Sequence, residues 1–493
     1  MNFIFRVDAS KTIGGGHLSR CLSLIKSIEV REKCNIHFIS NNFENLLSNK
    51  LAEIKYKIFN PKTNFNSFDY QLDAEKTIGY INKLETSNTY IIVDHYKIDS
   101  KWERLIKPYC NKIIVIDDLA NRRHICDILV DQNLVKNYKN RYQYLVSKNC
   151  KLLLGPKYAL IGKEYSNNKN NYYNQKKDEI LIFFGSFDKY GLTLKILNLL
   201  IKINIKKNIN VVINTKVIDY QLINKISKVH QNIKIYSNLD SLHSLLSKAN
   251  IVIGSMGINF WERCTFGIKS ILISTSYEQI PIANYLDKNN FATYLGHFDS
   301  FSNNHFINLI KSKSLVANKY ESKLLTKLVD GKGPLRVFDY IYPQNKKIRS
   351  RKLNYDDIHI LYRWANNTLI RKNSFHNKYI NLKTHKSWFK SNFTKNTTIY
   401  FYETYLNNEI GIVRFTKKKS IHYIHFNIEP ALFSLGYGLK IVKLSLSNFM
   451  RKNKTKVYGK VLNKNMSSKK IFEKLNFDKK VLNNCILYSK EFN

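Results

Sequence analysis

Short β-branched and aromatic runs recur along the chain: NFIFRV (2–7), TYIIVDH (89–95), KIIVID (112–117), EILIFFG (179–185), NVVIN (210–214), NIVIG (250–254) and SILIS (270–274). Amphipathic helical stretches separate them. In one, Leu18, Cys21, Leu22, Ile25 and Ile28 recur at spacings of three and four, which puts them on one helix face. Near-continuous apolar runs between helices predict strands buried on both faces of parallel sheets. The last third reads differently. IHYIHFNIEP (421–430) alternates and stops at Pro430, and a helix follows with apolar Leu439, Val442, Leu446 and Phe449. KVYGKVLNKNMSSKKIFEKLNF (456–477) adds a strand, Asn465 and a second amphipathic helix. This part predicts a mixed α/β unit.

Two polar stretches punctuate the pattern. SNNKNNYYNQKKD (166–178) reads as a connector and YPQNKKIRSRKL (342–353) as an interdomain linker. The expected organisation is an α/β half at 1–165, a second at 166–341, a linker at 342–353 and a separate α/β domain at 354–493. A chain of 493 residues is long enough for each to bury its own core.

Composition changes this picture less than its size implies. The formal net charge is +43, from 80 Lys and Arg against 37 Asp and Glu. Such a charge points first to a polyanion. Yet only 15 of the cations are Arg, with 65 Lys and 59 Asn, the bias that A/T-rich codons produce without selection for a ligand. Readers of nucleic acid favour Arg for bidentate contacts, and none of their motifs occurs, so no specific nucleic-acid partner is expected. From residue 342 onward the balance is 31 cations to 8 anions, so the charge is densest there. No apolar run approaches the ~20 residues of a membrane span. The opening MNFIFRVDAS lacks a basic segment followed by an apolar core, so no secretory signal is expected. Seven dispersed cysteines without a C-x-x-C pair fit reduced thiols in a cytoplasm and no zinc site.

Two constellations carry candidate chemistry in the first 340 residues. After the first strand come Asp8, Gly14, Gly15, Gly16 and His17, then a helix. Strand, glycine turn and helix bring backbone N–H groups toward an anionic or polar ligand. No G-K-[ST] follows and the dinucleotide fingerprint is incomplete. At a helix start, where imidazolium is disfavoured, His17 reads either as a general base or as a cap of the turn. The second constellation is NIVIGSMGINFWERCTFGIKSILI (250–273): strand, turn at Gly254–Gly257, helix with Glu262, strand. Glu262 reads either as acceptor of a ribose cis-diol or as an ordinary helix charge. Asp117 and Asp118, ahead of a basic turn, read as structural.

Several blocks in register resemble UDP-2,4-diacetamido-2,4,6-trideoxy-β-L-altropyranose hydrolases of bacterial pseudaminic acid synthesis. They are F-R-V-D-A-S-x-x-I-G-x-G-H-x-x-R-C (5–21), V-D-H-Y (93–96), V-I-D-D-L-A-N-R-R-H-I-C-D (115–127), V-D-Q-N (130–133), L-L-G-P-K-Y-A-L (153–160), W-E-R-C (261–264) and D-G-K-G-P-L-R-V (330–337). The resemblance covers about residues 1–340. It implies two Rossmann-like halves of GT-B type, related to the glycosyltransferase that makes lipid II, and a metal-independent hydrolysis releasing UDP. Residue by residue it implies His17 as general base and Gly14 and Gly16 as the turn beside it. It places Gly185, Ser186, Gly257, Glu262 and Gln279 at the UDP end, and Asp8, Asp94, His95 and Tyr96 in substrate contact. Ser186 and Met256 replace glycines usual in the family, and their side chains are expected to narrow the approach to the phosphates.

The C-terminal pattern resembles the GNAT N-acetyltransferases. That resemblance implies acetyl-CoA as co-substrate, its pyrophosphate on the turn of Ser434, Leu435, Gly436, Tyr437, Gly438 and Leu439, with Asn465 nearby. The stretch 362–389 resembles the acetyltransferase for UDP-4-amino-4,6-dideoxy-β-L-AltNAc, the step before the hydrolase. Here Phe433 replaces a basic residue or Gln, Asn476 a glycine, and Phe472 the Tyr that protonates the leaving thiolate. His385 reads as packed or as a base, and Glu429 as a proton relay or a solvated edge charge; Trp388 lies in the same acceptor-side segment. The expectation is a bifunctional cytoplasmic enzyme. The alternatives are a GT-B glycosyltransferase, a hydrolase with an inactive GNAT domain, and a basic nucleic-acid binder.

Overall fold

A computed structural model describes residues 1–9, 15–30, 32–41, 56–62, 68–85, 88–167, 179–185, 187–312, 316–343, 347–391, 397–419, 421–453 and 455–491. Gly14, Ser186 and most of the expected connector lie outside these residues. The chain forms two compact units, the first of Met1–Ser147 with Leu152–Ile341 and the second of Lys148–Lys151 with Tyr342–Asn493.

The first unit holds two sheets. In the first lie β1 (Asn2–Val7), β2 (Asn35–Ile39), β3 (Lys57–Phe59), β4 (Thr89–Asp94), β5 (Lys112–Ile116), β6 (Ile128–Asp131) and β7 (Lys151–Leu154), ordered β3-β2-β1-β4-β5-β6-β7. The second holds β8 (Glu179–Phe183), β9 (Asn208–Val212), β10 (Ile233–Tyr236), β11 (Ala249–Gly254), β12 (Ser270–Ser274) and β13 (Thr293–His297), ordered β10-β9-β8-β11-β12-β13. Both run outward in two directions from a first strand, the doubly wound Rossmann order, and the second sheet pairs in parallel throughout. The apolar runs dictate this. Along β8, β11 and β12, Ile180, Ile182, Ile251, Ile253, Ile271 and Ile273 enter one core cluster, while Leu181, Val252 and Leu272 enter another. With period two, a continuous apolar run supplies both faces of a sheet, and each such side chain contributes roughly 1.5–3 kcal/mol on burial.

The second half is not closed at its own boundary. Helix Gly333–Ile341 packs on helix Gly16–Glu29 of the first half. Phe338 meets the Phe3 ring edge-on at 6.1 Å, and Lys112 Nζ donates to the carbonyls of Tyr340 and Ile341. The end of the second half is therefore part of the first half's packing, which the division at 166 did not anticipate.

The second unit has one sheet of β14 (Ile348–Arg351), β15 (Thr397–Thr404), β16 (Glu409–Lys418), β17 (Ile421–Ile428), β18 (Val457–Leu462), β19 (Asp478–Leu482) and β20 (Cys485–Lys490), ordered β14-β15-β16-β17-β18-β20-β19. Here the expected linker is corrected, because residues 348–351 form the edge strand. Arg349 and Arg351 do not make a solvated basic run. They pair with Glu403, and Arg351 also with Asp357. Parallel β17 and β18 pair only at His422–Val457 and Tyr423–Tyr458, so the two strands part toward their C-terminal ends. The architecture is thus two doubly wound Rossmann-like halves plus a separate mixed α/β unit. No helix among the described residues is long and apolar enough to cross a membrane.

Candidate active sites

The order of the first sheet makes β1 and β4 neighbours, with Val7 beside Asp94 at their C-terminal ends. Their following loops diverge there, the switch point at which α/β sheets bind ligands. Helix Gly16–Glu29 starts at this end and carries His17 in its first turn. His17 Nδ1 lies 2.5 Å from Asp94 Oδ1. Arg20, one turn on, donates from Nε and Nη2 to the same carboxylate at 2.5 and 2.7 Å, and from Nη1 to Asp118 at 2.8 Å. Arg20 Nη2 also stands 3.1 Å from His17 Nδ1. An N–H on Nδ1 satisfies Asp94, so the shorter contact to the carboxylate assigns the tautomer and leaves Nε2 as the basic nitrogen. Among the described residues Nε2 has no hydrogen-bond partner. Burial pushes the Asp94 carboxyl up, but Arg20 and His17 outweigh it and hold it down to about 2.

Asp8, His95 and Tyr96 are brought to the same sheet end with different roles. Asp8 Oδ1 accepts from Arg6, Ser40 Oγ and the Asn41 N–H, each at 2.9 Å, and His95 Nε2 lies 3.0 Å from Oδ2. Burial raises Asp8, yet Arg6 and His95 hold it well below the usual carboxylate range. His95 Nδ1 is occupied by the Lys97 N–H. Asp8 and His95 therefore brace the strand ends and Asp94 holds His17, at the sheet end where all three are expected to meet substrate. Tyr96 is 45% exposed, with its ring edge-on to His17 at 4.6 Å. Asp117 is structural as expected, held by Arg122 and the Tyr142 hydroxyl. Asp118 belongs to the His17 network through Arg20. Neither Arg20 nor Asp118 stands out in the sequence as a site residue, although the spacing of three from His17 places Arg20 on the same helix face.

The second sheet repeats this layout. Gly185 follows β8 at φ +97, and Gly257 caps helix Ile258–Thr265 after β11. A Cβ on either would meet no atom of the described residues within 4 Å. Met256 is 3% exposed and packs in the core, so it does not narrow the turn as its position led one to expect. Glu262 is buried and accepts from Asn259 Nδ2 at 3.1 Å. Burial pushes its carboxyl up to about 7, against the hydrogen bonds from Asn259 and Tyr165. Gln279 lies in the loop after β12, where its Oε1 accepts the Thr275 N–H at 2.9 Å and closes the turn.

In the second unit, Ser434 (φ +62) and Gly436 (φ +80) shape the turn that starts helix Tyr437–Met450. Ser434, Leu435 and Gly436 are exposed, and no side chain caps the helix. The turn therefore presents the first N–H groups of the helix, among them those of Gly438 and Leu439, with no side-chain cap, an anion cradle by geometry. Asn465 opens the helix after β18, and its side chain caps Ser468 N at 3.1 Å. Phe472 is a core residue, stacked on Tyr488 at 4.9 Å and filling the space beside Gly459. His385 is packed, with Nε2 3.2 Å from the Ile358 carbonyl. Trp388 lies beside it at 5.2 Å and under Arg414. Glu429 is neither a solvated charge nor a free relay. It is 2% exposed and accepts from Trp364 Nε1, Arg363 and Lys151 at 2.9, 3.1 and 2.5 Å.

No protein-family model matches the chain. It is 25% identical over 501 residues to the uncharacterized protein MJ1062 of Methanocaldococcus jannaschii, covering 97% of each chain. Among solved structures, Acinetobacter baumannii MurG is 11% identical and covers 69% of this chain and 99% of its own at a TM-score of 0.49. Spermidine N-acetyltransferase from Vibrio cholerae, in complex with CoA and spermine, is 15% identical and covers 29% of this chain and 95% of its own at 0.27. The UDP-2,4-diacetamido-2,4,6-trideoxy-beta-L-altropyranose hydrolase of Campylobacter jejuni is 30% identical over 256 residues, 51% of this chain and 84% of that protein. At that identity and coverage, the chain belongs to the family of this hydrolase.

Proposed function

We propose that the chain is a two-activity enzyme of UDP-linked amino sugars, as in pseudaminic acid synthesis. The first unit hydrolyses UDP-2,4-diacetamido-2,4,6-trideoxy-β-L-altropyranose, and the second N-acetylates the 4-amino precursor with acetyl-CoA. The hydrolase reading is supported above all by His17, oriented by Asp94 at 2.5 Å with Nε2 left for a proton. In the hydrolysis Nε2 takes a proton from water as the water oxygen bonds to the anomeric carbon. The bond from that carbon to the diphosphate oxygen breaks, and its electron pair leaves with UDP. Gly185 and Gly257 leave room for the phosphates, the helix start behind Gly257 offsets their charge, and Glu262 accepts from the ribose hydroxyls.

In the acetyl transfer the sugar amine attacks the thioester carbonyl and the C–S bond breaks. The proton lost by the amine equals the one gained by the CoA sulfur. The uncapped turn at Ser434–Leu439 is the seat for the CoA pyrophosphate. Burial of Phe472 in an aromatic stack favours a second reading for this unit, binding without transfer, since no hydroxyl stands at that position.

The deciding measurement is mass spectrometry of the UDP-4-amino sugar incubated with acetyl-CoA. Wild type is expected to release UDP and the diacetamido sugar, and His17→Ala to accumulate the acetylated UDP-sugar. Equal UDP release by both removes the general-base assignment. An absence of acetylated product in both favours the binding-only reading of the second unit.

A further inference from the structure

Among the described residues of the first unit, Arg263 is the buried charge with the most unpartnered side-chain atoms. It is 1% exposed, on the same helix as Glu262 and next to it. Its one hydrogen bond among the described residues is long, from Nη2 to the Phe183 carbonyl at 3.4 Å. Nε and Nη1 have no partner, and no carboxylate stands within ion-pair distance among the described residues. Burial lowers its pKa only to about 10, so the guanidinium stays charged at neutral pH. A buried cation with spare donors is costly unless an anion meets it.

Its place in the fold says where that anion binds. Nη2 would be 2.6 Å from a Cβ on Gly254, and the Phe183 oxygen only 2.1 Å. The guanidinium therefore fills the gap between the ends of β8 and β11, at the second sheet's switch point. The turn that begins at Gly254 leads into Gly257, which has open space where a Cβ would be, as does Gly185 beyond β8. A helix start and two bare glycines border that space, and behind Gly254, between the strand ends, is a buried cation with unused N–H groups.

We infer that Arg263 is the buried counter-charge for the diphosphate of the nucleotide, completing at this switch point an anion site that the protein's own carboxylates leave open. The inference rests on the UDP reading above. It separates the two ends of the nucleotide: Arg263 acts on the phosphates, Glu262 on the ribose. It also gives the free protein a reason to bind UDP beyond the sugar contacts, because the ligand brings the charge that the fold lacks.

Titration calorimetry of the full chain with UDP and with uridine tests this, using wild type, Arg263→Met and Arg263→Lys, with a thermal melt of each. Arg263→Met is expected to weaken UDP at least about tenfold, the order of a lost charge-assisted contact, while uridine changes less than about twofold. Lysine is expected to restore most of the UDP affinity. The unliganded Met variant is expected to melt no lower than wild type, because an unpaired buried charge has gone. UDP affinity unchanged in the folded variants overturns the inference alone, and so does an equal loss for UDP and uridine. Wild type that binds no UDP removes the nucleotide reading itself, and this inference falls with it. Should the Met variant not fold, the UDP-to-uridine ratio of Arg263→Lys decides in the same way.

Discussion

Asp94 closes β4 and accepts from His17 once and from Arg20 twice, so a buried carboxylate stays ionised and aims an imidazole. Removing its charge while keeping its shape tests that role. Asp94→Asn is expected to lower kcat for UDP release by about 10²–10⁴, as in other His–Asp pairs, with KM within about threefold. A steady-state loss below tenfold would mean that Asp94 does not orient His17. Both residues stood out in the sequence, but their pairing did not, because 77 positions separate them. Arg20 shares a helix face with His17, and that spacing was the readable signal. Asp118 had none, since its neighbour Asp117 carries the same side chain and points to a different partner.

Among the elements, the strand–glycine–helix units were the most legible. Their cues are local: an apolar run, residues without Cβ, then period 3.6. The turn at Gly257 shows why the glycine matters. A side chain there meets no protein atom within 4 Å and the backbone is extended, so the fold does not require glycine. Gly257→Val is therefore expected to keep the wild-type melting temperature while weakening UDP at least about tenfold by occupying the ligand's space. A drop in melting temperature with UDP affinity intact would reverse the assignment. Residues 348–351 were the least legible element. Their basic side chains read as solvated, and the partners that make them an edge strand, β15 and its Glu403, lie more than 45 positions on, although Asp357 is only six residues from Arg351.

At the scale of the whole molecule the net charge of +43 is far larger than the few charged groups placed in the candidate sites. Its expected effect is long-range attraction of phosphate-bearing substrates. Raising ionic strength from about 0.02 to 0.3 M is expected to raise KM for acetyl-CoA and the UDP-sugar by about two- to fivefold at constant kcat, since the Debye length shortens. A KM independent of salt would make the charge purely compositional. The match to MJ1062 over 97% of both chains shows that sequence similarity extends across both units.

By itself the sequence determined what depends on near neighbours: doubly buried strands, the three glycine turns, the helix faces, and His17 and Glu262 as candidates. Those follow from periodicity and from residues that tolerate unusual backbone, which act over a few positions. Only the tertiary structure decided what depends on partners far along the chain. It paired Asp8 with His95, buried Glu429 under three donors, sank Met256 into the core and left Arg263 without an ion-pair partner among the described residues. A local pattern records which side of an element avoids water. It does not record which charge will be waiting there, because that depends on residues far along the chain.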